Sequence, residues 1–115
     1  MKILVIVNES PWGGTLGVTA LRLVRALVEE GEQLCAVFFR GDGVYQAQAG
    51  REQDAGSPCL SKAWKQISRD SDIPLLICSS ASQRRFGQAP DKSFKEAGLV
   101  KMMELMDSSD RVVSL

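Results

Sequence analysis

Three short apolar runs constrain what this chain can fold into more than anything else in it. Lys2-Ile3-Leu4-Val5-Ile6-Val7-Asn8, Gln33-Leu34-Cys35-Ala36-Val37-Phe38-Phe39 and Ile73-Pro74-Leu75-Leu76-Ile77 are continuous, not alternating. A strand half exposed to water alternates apolar and polar residues. A run that is apolar throughout, bounded by turn residues, is a strand buried on both faces, as in a parallel sheet covered by helices. Parallel strands require crossovers, and the segments between these runs supply them. Leu16, Ala20, Leu23, Val24, Leu27 and Val28 form one apolar stripe at helical spacing, with Arg22, Arg25 and Glu29 on the other side and Gly31 placed to cap the end. Leu60, Ala63, Trp64 and Ile67 form a second stripe, with Trp64 expected in the core, and Leu99, Met102, Met103 and Met106 a third.

Strand, helix, strand within about 40 residues is a βαβ unit, whose crossover is right-handed almost without exception. Repeating it predicts a three-layer α/β/α domain around a mostly parallel sheet of four to five strands. The fourth strand is Asp110 to Leu115, and a short fifth is expected near Phe86-Gln88. Val44 to Ala49 reads as a short helix after the Gly41-Asp42-Gly43 turn. At 115 residues, without repeats or linkers, the chain is expected to form one domain over 1–115.

Composition narrows the chemistry. Basic and acidic residues number 14 each, so no direct nucleic-acid or membrane binding is expected from charge. The balance is uneven along the chain: residues 1–60 hold 5 basic and 7 acidic side chains, residues 61–115 hold 9 and 7. Three cysteines are an odd number for a disulfide framework. With no histidine and no Cys-x-x-Cys pair, no metal site is expected. There is no apolar run long enough for a membrane helix and no cleavage pattern after the first strand, so the expected setting is a reducing cytoplasm.

Cys78 lies where the third buried run meets Ser79-Ser80-Ala81-Ser82-Gln83-Arg84-Arg85, a sequence that starts a helix. In open α/β sheets, ligands bind at the carboxyl ends of the strands. A free thiol titrates near about 8.5, and helix N-termini and cations lower that value. Ser79, Ser80 and Ser82 offer hydrogen bonds to a sulfur anion, whereas Arg84 and Arg85 lie roughly 9 to 10 Å further along a helix axis. Without histidine, activation of Cys78 has to come from dipoles and cations. The competing reading is a small buried hydrophobe at a strand end.

Elsewhere the bland readings are stronger. Cys35 reads as an inert core thiol, and Cys59 as a partly exposed one. The Trp12-Gly13-Gly14 loop follows the first strand as a phosphate-binding loop would, but its glycine spacing is not that of a dinucleotide fingerprint or a P-loop, and Arg40 stands where a ribose-binding acid would. No cofactor is expected. Asp42, Tyr45 and Trp12 fall at the same sheet edge as Cys78 and are candidates to line its pocket.

The order of these segments resembles the DsrE/TusD-type sulfurtransferases. The resemblance rests on Val37-Phe38-Phe39 with Asp42-Gly43-Val44-Tyr45-Gln46-Ala47, on Ala63-Trp64, on Leu76-Ile77-Cys78 with Ala81 and Arg84-Arg85, and on Gly98-Leu99 with Asp110-Arg111-Val112-Val113. It implies a DsrEFH-like fold and a persulfide carrier. Cys78 would accept sulfur from a donor protein and relay it to an acceptor protein's cysteine, for tRNA thiolation or sulfur oxidation. Ser79, Ser80, Arg84 and Arg85 would support the anion or contact partners. The resemblance also implies a homotrimer, a hexamer or a hetero-oligomer with related subunits. The alternatives are a non-catalytic scaffold subunit of such an oligomer and a flavodoxin-like nucleotide binder. The chain departs from the family pattern beside the cysteine, with Phe86 between Arg85 and Gly87 and a short, charged stretch from Gln88 to Glu96.

Overall fold

The computed structural model describes residues 1–12, 15–48, 60–87 and 89–115. The five strands are β1 (Lys2–Val7), β2 (Gln33–Phe39), β3 (Leu75–Cys78), β4 (Phe94–Ala97) and β5 (Arg111–Ser114). The helices are α1 (Leu16–Glu29), α2 (Leu60–Ser71), α3 (Ser79–Arg85) and α4 (Leu99–Ser108), with a 3-10 helix over Gly41–Ala47 after β2. The strands form one sheet in the order β4-β3-β2-β1-β5, and every pair is parallel. The fifth strand is therefore Phe94–Ala97. Phe86 and Gly87 instead close α3, their backbone N–H groups both donating to the Ser82 carbonyl, with Gly87 at φ +59. Gln88 lies outside the described residues, as do Gly13, Gly14 and Ala49.

The chain steps from β1 to β4 in one direction across the sheet and then returns past all of them to β5. Right-handed crossovers place α1, α2 and α3 on one face and α4 alone on the other. The central strands are buried throughout from Ile3 to Val7 and from Ala36 to Phe39, as two-sided coverage requires. Phe39 meets Trp64 of α2 edge-on at 5.3 Å and Phe94 of β4 at 5.5 Å, so one aromatic cluster joins helix, centre and edge.

Helix α1 buries Gly17, Ala20, Leu21 and Val24, with Leu27 and Val28 packed on the core; Ala20, Val24, Leu27 and Val28 are in the expected stripe, but Leu16 is exposed and Gly17 and Leu21 take its side of the face. Apolar residues stand on both sides of the true face, and Gly17 marks it: a Cβ there would meet Leu60 and Gln46 at 3.2 and 3.3 Å. The helix ends in a Schellman motif at Gly31 (φ +80), with Gly31 N–H donating to Val28 and Glu32 N–H to Leu27. Of the methionine stripe on α4 only Met102 is buried; Met103 is 65% exposed, and Leu99 and Val100 are more than half exposed.

Strand β5 is stitched to β1 beyond the sheet ladder. Lys2 N–H donates to the Asp110 carboxylate at 2.7 Å and Asp110 N–H to the Lys2 carbonyl at 2.8 Å. At the other end Asn8 donates to the Leu115 carbonyl from its backbone at 2.8 Å and from its amide at 3.0 Å.

The 3-10 helix crosses the carboxyl ends of the strands at very close range. A Cβ on Gly43 would sit 2.2 Å from the Val7 carbonyl oxygen and 2.9 Å from its carbon, atoms of the buried interior strand β1 that have nowhere to go. Below it, fully buried Gln46 accepts from Trp64 Nε1 at 2.8 Å and donates to the Glu9 carbonyl at 3.3 Å, tying α2 to the turn after β1. Gly43→Ala is expected to destabilise the fold by about 1–3 kcal/mol through forced backbone displacement, read as a lower denaturant midpoint at unchanged slope.

Candidate functional site

Because all strands point the same way, the ends of β1, β2 and β3 converge on one edge, and Cys78 is the last residue of β3. Its backbone is extended (φ −66, ψ 114), and α3 starts at the next residue. The thiol is nearly buried, at 7% exposure. Burial pushes its titration up, since a thiolate loses hydration. Several groups oppose this and together win: the Ser80 hydroxyl, 3.4 Å from Sγ, the backbone N–H groups of Ala81 and Ser80, and the positive charge of Arg40. The net result is a thiol held below its ordinary value.

The serines divide the work. Ser80 faces the sulfur. Ser79 donates to the Ala97 carbonyl at 3.5 Å, bracing the start of α3 against β4, and Ser82 turns back to the Ser79 carbonyl at 3.0 Å. Of the two arginines in α3, Arg85 donates through Nε to Asp42 at 2.9 Å and locks the helix to the 3-10 segment. Arg84 is exposed. The arginine whose charge favours the thiolate is Arg40, at the position where a dinucleotide fold would carry its ribose-binding acid. A signal for it existed: Arg40 follows the buried run of β2 as Cys78 ends that of β3, and parallel neighbours of matched register end together.

The pocket candidates lie on the 3-10 segment and the turn after β1. Asp42 is engaged by Arg85. Tyr45 is half-buried and packs between two rings, edge-on to Trp12 at 5.1 Å and tilted against Phe86 at 6.0 Å. Phe86 thus ends an aromatic row along this edge. Cys35 is half-buried on β2, with the Ser109 hydroxyl donating to its sulfur at 3.4 Å. Cys59 lies outside the described residues. Among the described residues no group of histidine, cysteine or carboxylate side chains is arranged to hold a metal, and no helix is long and apolar enough to cross a membrane.

The site favours the sulfur anion without a general base. The sign of its pH dependence follows. Alkylation of Cys78 is expected to rise with pH and level off at a midpoint below that of a free cysteine measured alongside it. Ser80→Ala removes a hydrogen bond to the anion, so the midpoint should move up and the rate at neutral pH fall severalfold. A pH–rate series with iodoacetamide, followed by peptide mass analysis at Cys78, checks both.

Comparison with known proteins places this geometry. The family model described as DsrE/DsrF-like matches residues 1–115. A sulfurtransferase TusD homolog of Pasteurella multocida is 32% identical, with 100% of both chains covered. A TusD homolog of Vibrio parahaemolyticus is 31% identical over 94% of this chain and 92% of its own. The crystal structure of the ychN protein from E. coli superposes with a TM-score of 0.86, covering 99% of this chain and 98% of that one at 21% identity, a likeness of fold. A match over every residue, on an all-parallel α/β sheet of this order, means that the chain belongs to the DsrE/DsrF-like family.

Proposed function

We propose that the protein is a persulfide carrier in a sulfur relay, with Cys78 as the carrying residue. The observation that carries this reading is the Cys78 thiol itself: lowered in titration at the carboxyl edge of the sheet, in a chain without histidine, in a family whose named relatives are sulfurtransferases. Cys78 thiolate attacks the terminal sulfur of a donor persulfide. The donor's S–S bond breaks, its thiolate leaves with the bonding pair, and Cys78 holds the sulfur as a persulfide. An acceptor thiolate then takes that sulfur, and Cys78 thiolate is released. Sulfur moves at a constant total oxidation state, so neither oxidant nor reductant is consumed.

The parts have distinct roles in this scheme. Ser80 and the N–H groups of Ser80 and Ala81 hold the anion in place, and near-complete burial slows its oxidation by solvent-borne reagents. Arg40 supplies the charge. Arg85 and Asp42 fix α3 against the 3-10 helix, so the groups around sulfur are pre-positioned. Donor and acceptor are proteins with accessible cysteines, and related subunits would complete the assembly.

A second reading has one observation in its favour. Cys78 at 7% exposure also suits a scaffold subunit in which the thiol is inert. Incubation with a small persulfide donor, followed by intact mass measurement and peptide mapping, separates the two. The carrier gains one sulfur atom on Cys78, and Cys78→Ser does not. A Cys78→Ser protein that gains the same sulfur, or a wild type that gains none, overturns the carrier reading.

A further inference from the structure

The charges around Cys78 are sorted by face of the sheet. The β2–β3 register pairs Val37 with Leu75, Phe38 with Leu76 and Phe39 with Ile77. Continued by one residue, it sets Arg40 level with Cys78, one strand spacing away at about 4.8 Å. Arg40 is extended (φ −133, ψ 169), so it keeps the alternation of β2, and level residues on parallel strands project from the same face. On the other flank β4 pairs Lys95 with Leu76, Glu96 with Ile77 and Ala97 with Cys78. Lys95 therefore shares the thiol's face, and Glu96 belongs to the opposite one.

Arg40 and Lys95 are both exposed, and neither forms an ion pair with another described residue. The carboxylates along this edge do not offset them. Asp42 is taken by Arg85 at 2.9 Å. Glu9 follows the end of β1, on the far side of Arg40 from the sulfur. Asp91 precedes β4 and is held by Lys65 at 3.0 Å. Arg84, on α3, adds a further exposed cation. A chain of zero formal charge thus sets two unneutralised cations on either side of one thiol.

Resting on the persulfide-carrier reading, we propose that Arg40 and Lys95 form a cationic rim that selects the sulfur partner by charge: the cysteine delivered to Cys78 sits in an acidic polypeptide segment. The rim attracts carboxylates flanking the incoming cysteine and disfavours a basic segment. Opposite charges at this range near a protein surface change encounter rates severalfold each, and salt suppresses the effect.

Charge-selective thiol reagents test this without an identified partner. Two methanethiosulfonates of similar size serve as probes, one ending in a sulfonate and one in a trimethylammonium. In each, Cys78 thiolate attacks the thiol sulfur, the bond to the sulfonyl group breaks, methanesulfinate leaves with the electron pair, and a mixed disulfide forms. Rates are read at Cys78 by peptide mass analysis. At low ionic strength the anionic reagent is expected to react about tenfold faster, with the ratio falling towards one at high salt. Arg40→Gln and Lys95→Gln should each lower the ratio, and the double variant should lower it further than either. Asp42→Asn, which frees Arg85, should raise it. Because both reagents need the same thiolate, a change in thiolate fraction cancels in the ratio.

A matched pair of synthetic peptides, one cysteine persulfide flanked by aspartates and one by lysines, extends the test to polypeptide. The acidic peptide should load Cys78 faster. Equal rates, or a preference for the cationic probe, overturn the charge-selection proposal while leaving the carrier reading intact if sulfur still appears on Cys78. If no persulfide donor loads Cys78, the carrier reading fails whatever the reagent ratio shows.

Discussion

Parallel pairing is the constraint from which the rest of the structure follows. Each strand must be re-entered from the same end, so each crossover needs a helix, and every strand delivers its last residue to the same edge. Val7, Phe39 and Cys78 end their strands together, and the 3-10 helix is pressed over them closely enough that only glycine fits at position 43. That helix holds Asp42, which anchors α3 through Arg85, and Gln46, which connects Trp64 to the turn after β1. The surroundings of the thiol are therefore set by backbone packing rather than by long side chains reaching into open solvent.

The thiol's reactivity is a contest between burial and compensation. Near-complete removal from water disfavours the anion, and a lone cysteine in such a place is ordinarily inert. Here a hydroxyl, two backbone N–H groups and one neighbouring guanidinium outweigh the loss. The chain has no histidine, so the groups that favour the anion are the hydroxyl, the N–H groups and the guanidinium, not an imidazole.

Much of this was legible in sequence because the relevant signals are local. The three doubly buried runs read directly as strands, and the position of Cys78 at a strand–helix junction follows from the apolar run before it and the serine-rich one after it. What escaped depended on partners distant in sequence. Strand β4, Phe-Lys-Glu-Ala, has charges at its two middle positions, since an edge strand is half in water and leaves no periodic trace. On α1 the spacing places Ala20, Val24, Leu27 and Val28 on the core side, but Leu16 and Leu23 flank the true face, and only packing tells them from Gly17 and Leu21. Arg40 became meaningful once the register of β2 on β3 set it level with Cys78, a fact about pairing that no single segment contains. Arg85 was recognised as adjacent to the site, but its capture by Asp42, 43 positions away, is a tertiary event.

The stitching of β5 to β1 bears on the order in which this molecule assembles. Partners in that pair are separated by 108 residues, as Ile3 with Arg111, so closing the loop between them is among the costliest steps in chain entropy. Until it closes, β1 has one flank of unpaired N–H and C=O groups beside the most apolar stretch of the sequence, the configuration that invites pairing with a neighbouring chain. During synthesis β1 leaves the ribosome 108 positions ahead of its partner in β5, so the nascent chain carries an unsatisfied sheet edge until that partner is made, and shielding the edge over this interval is a demand the fold places on the cell that makes it.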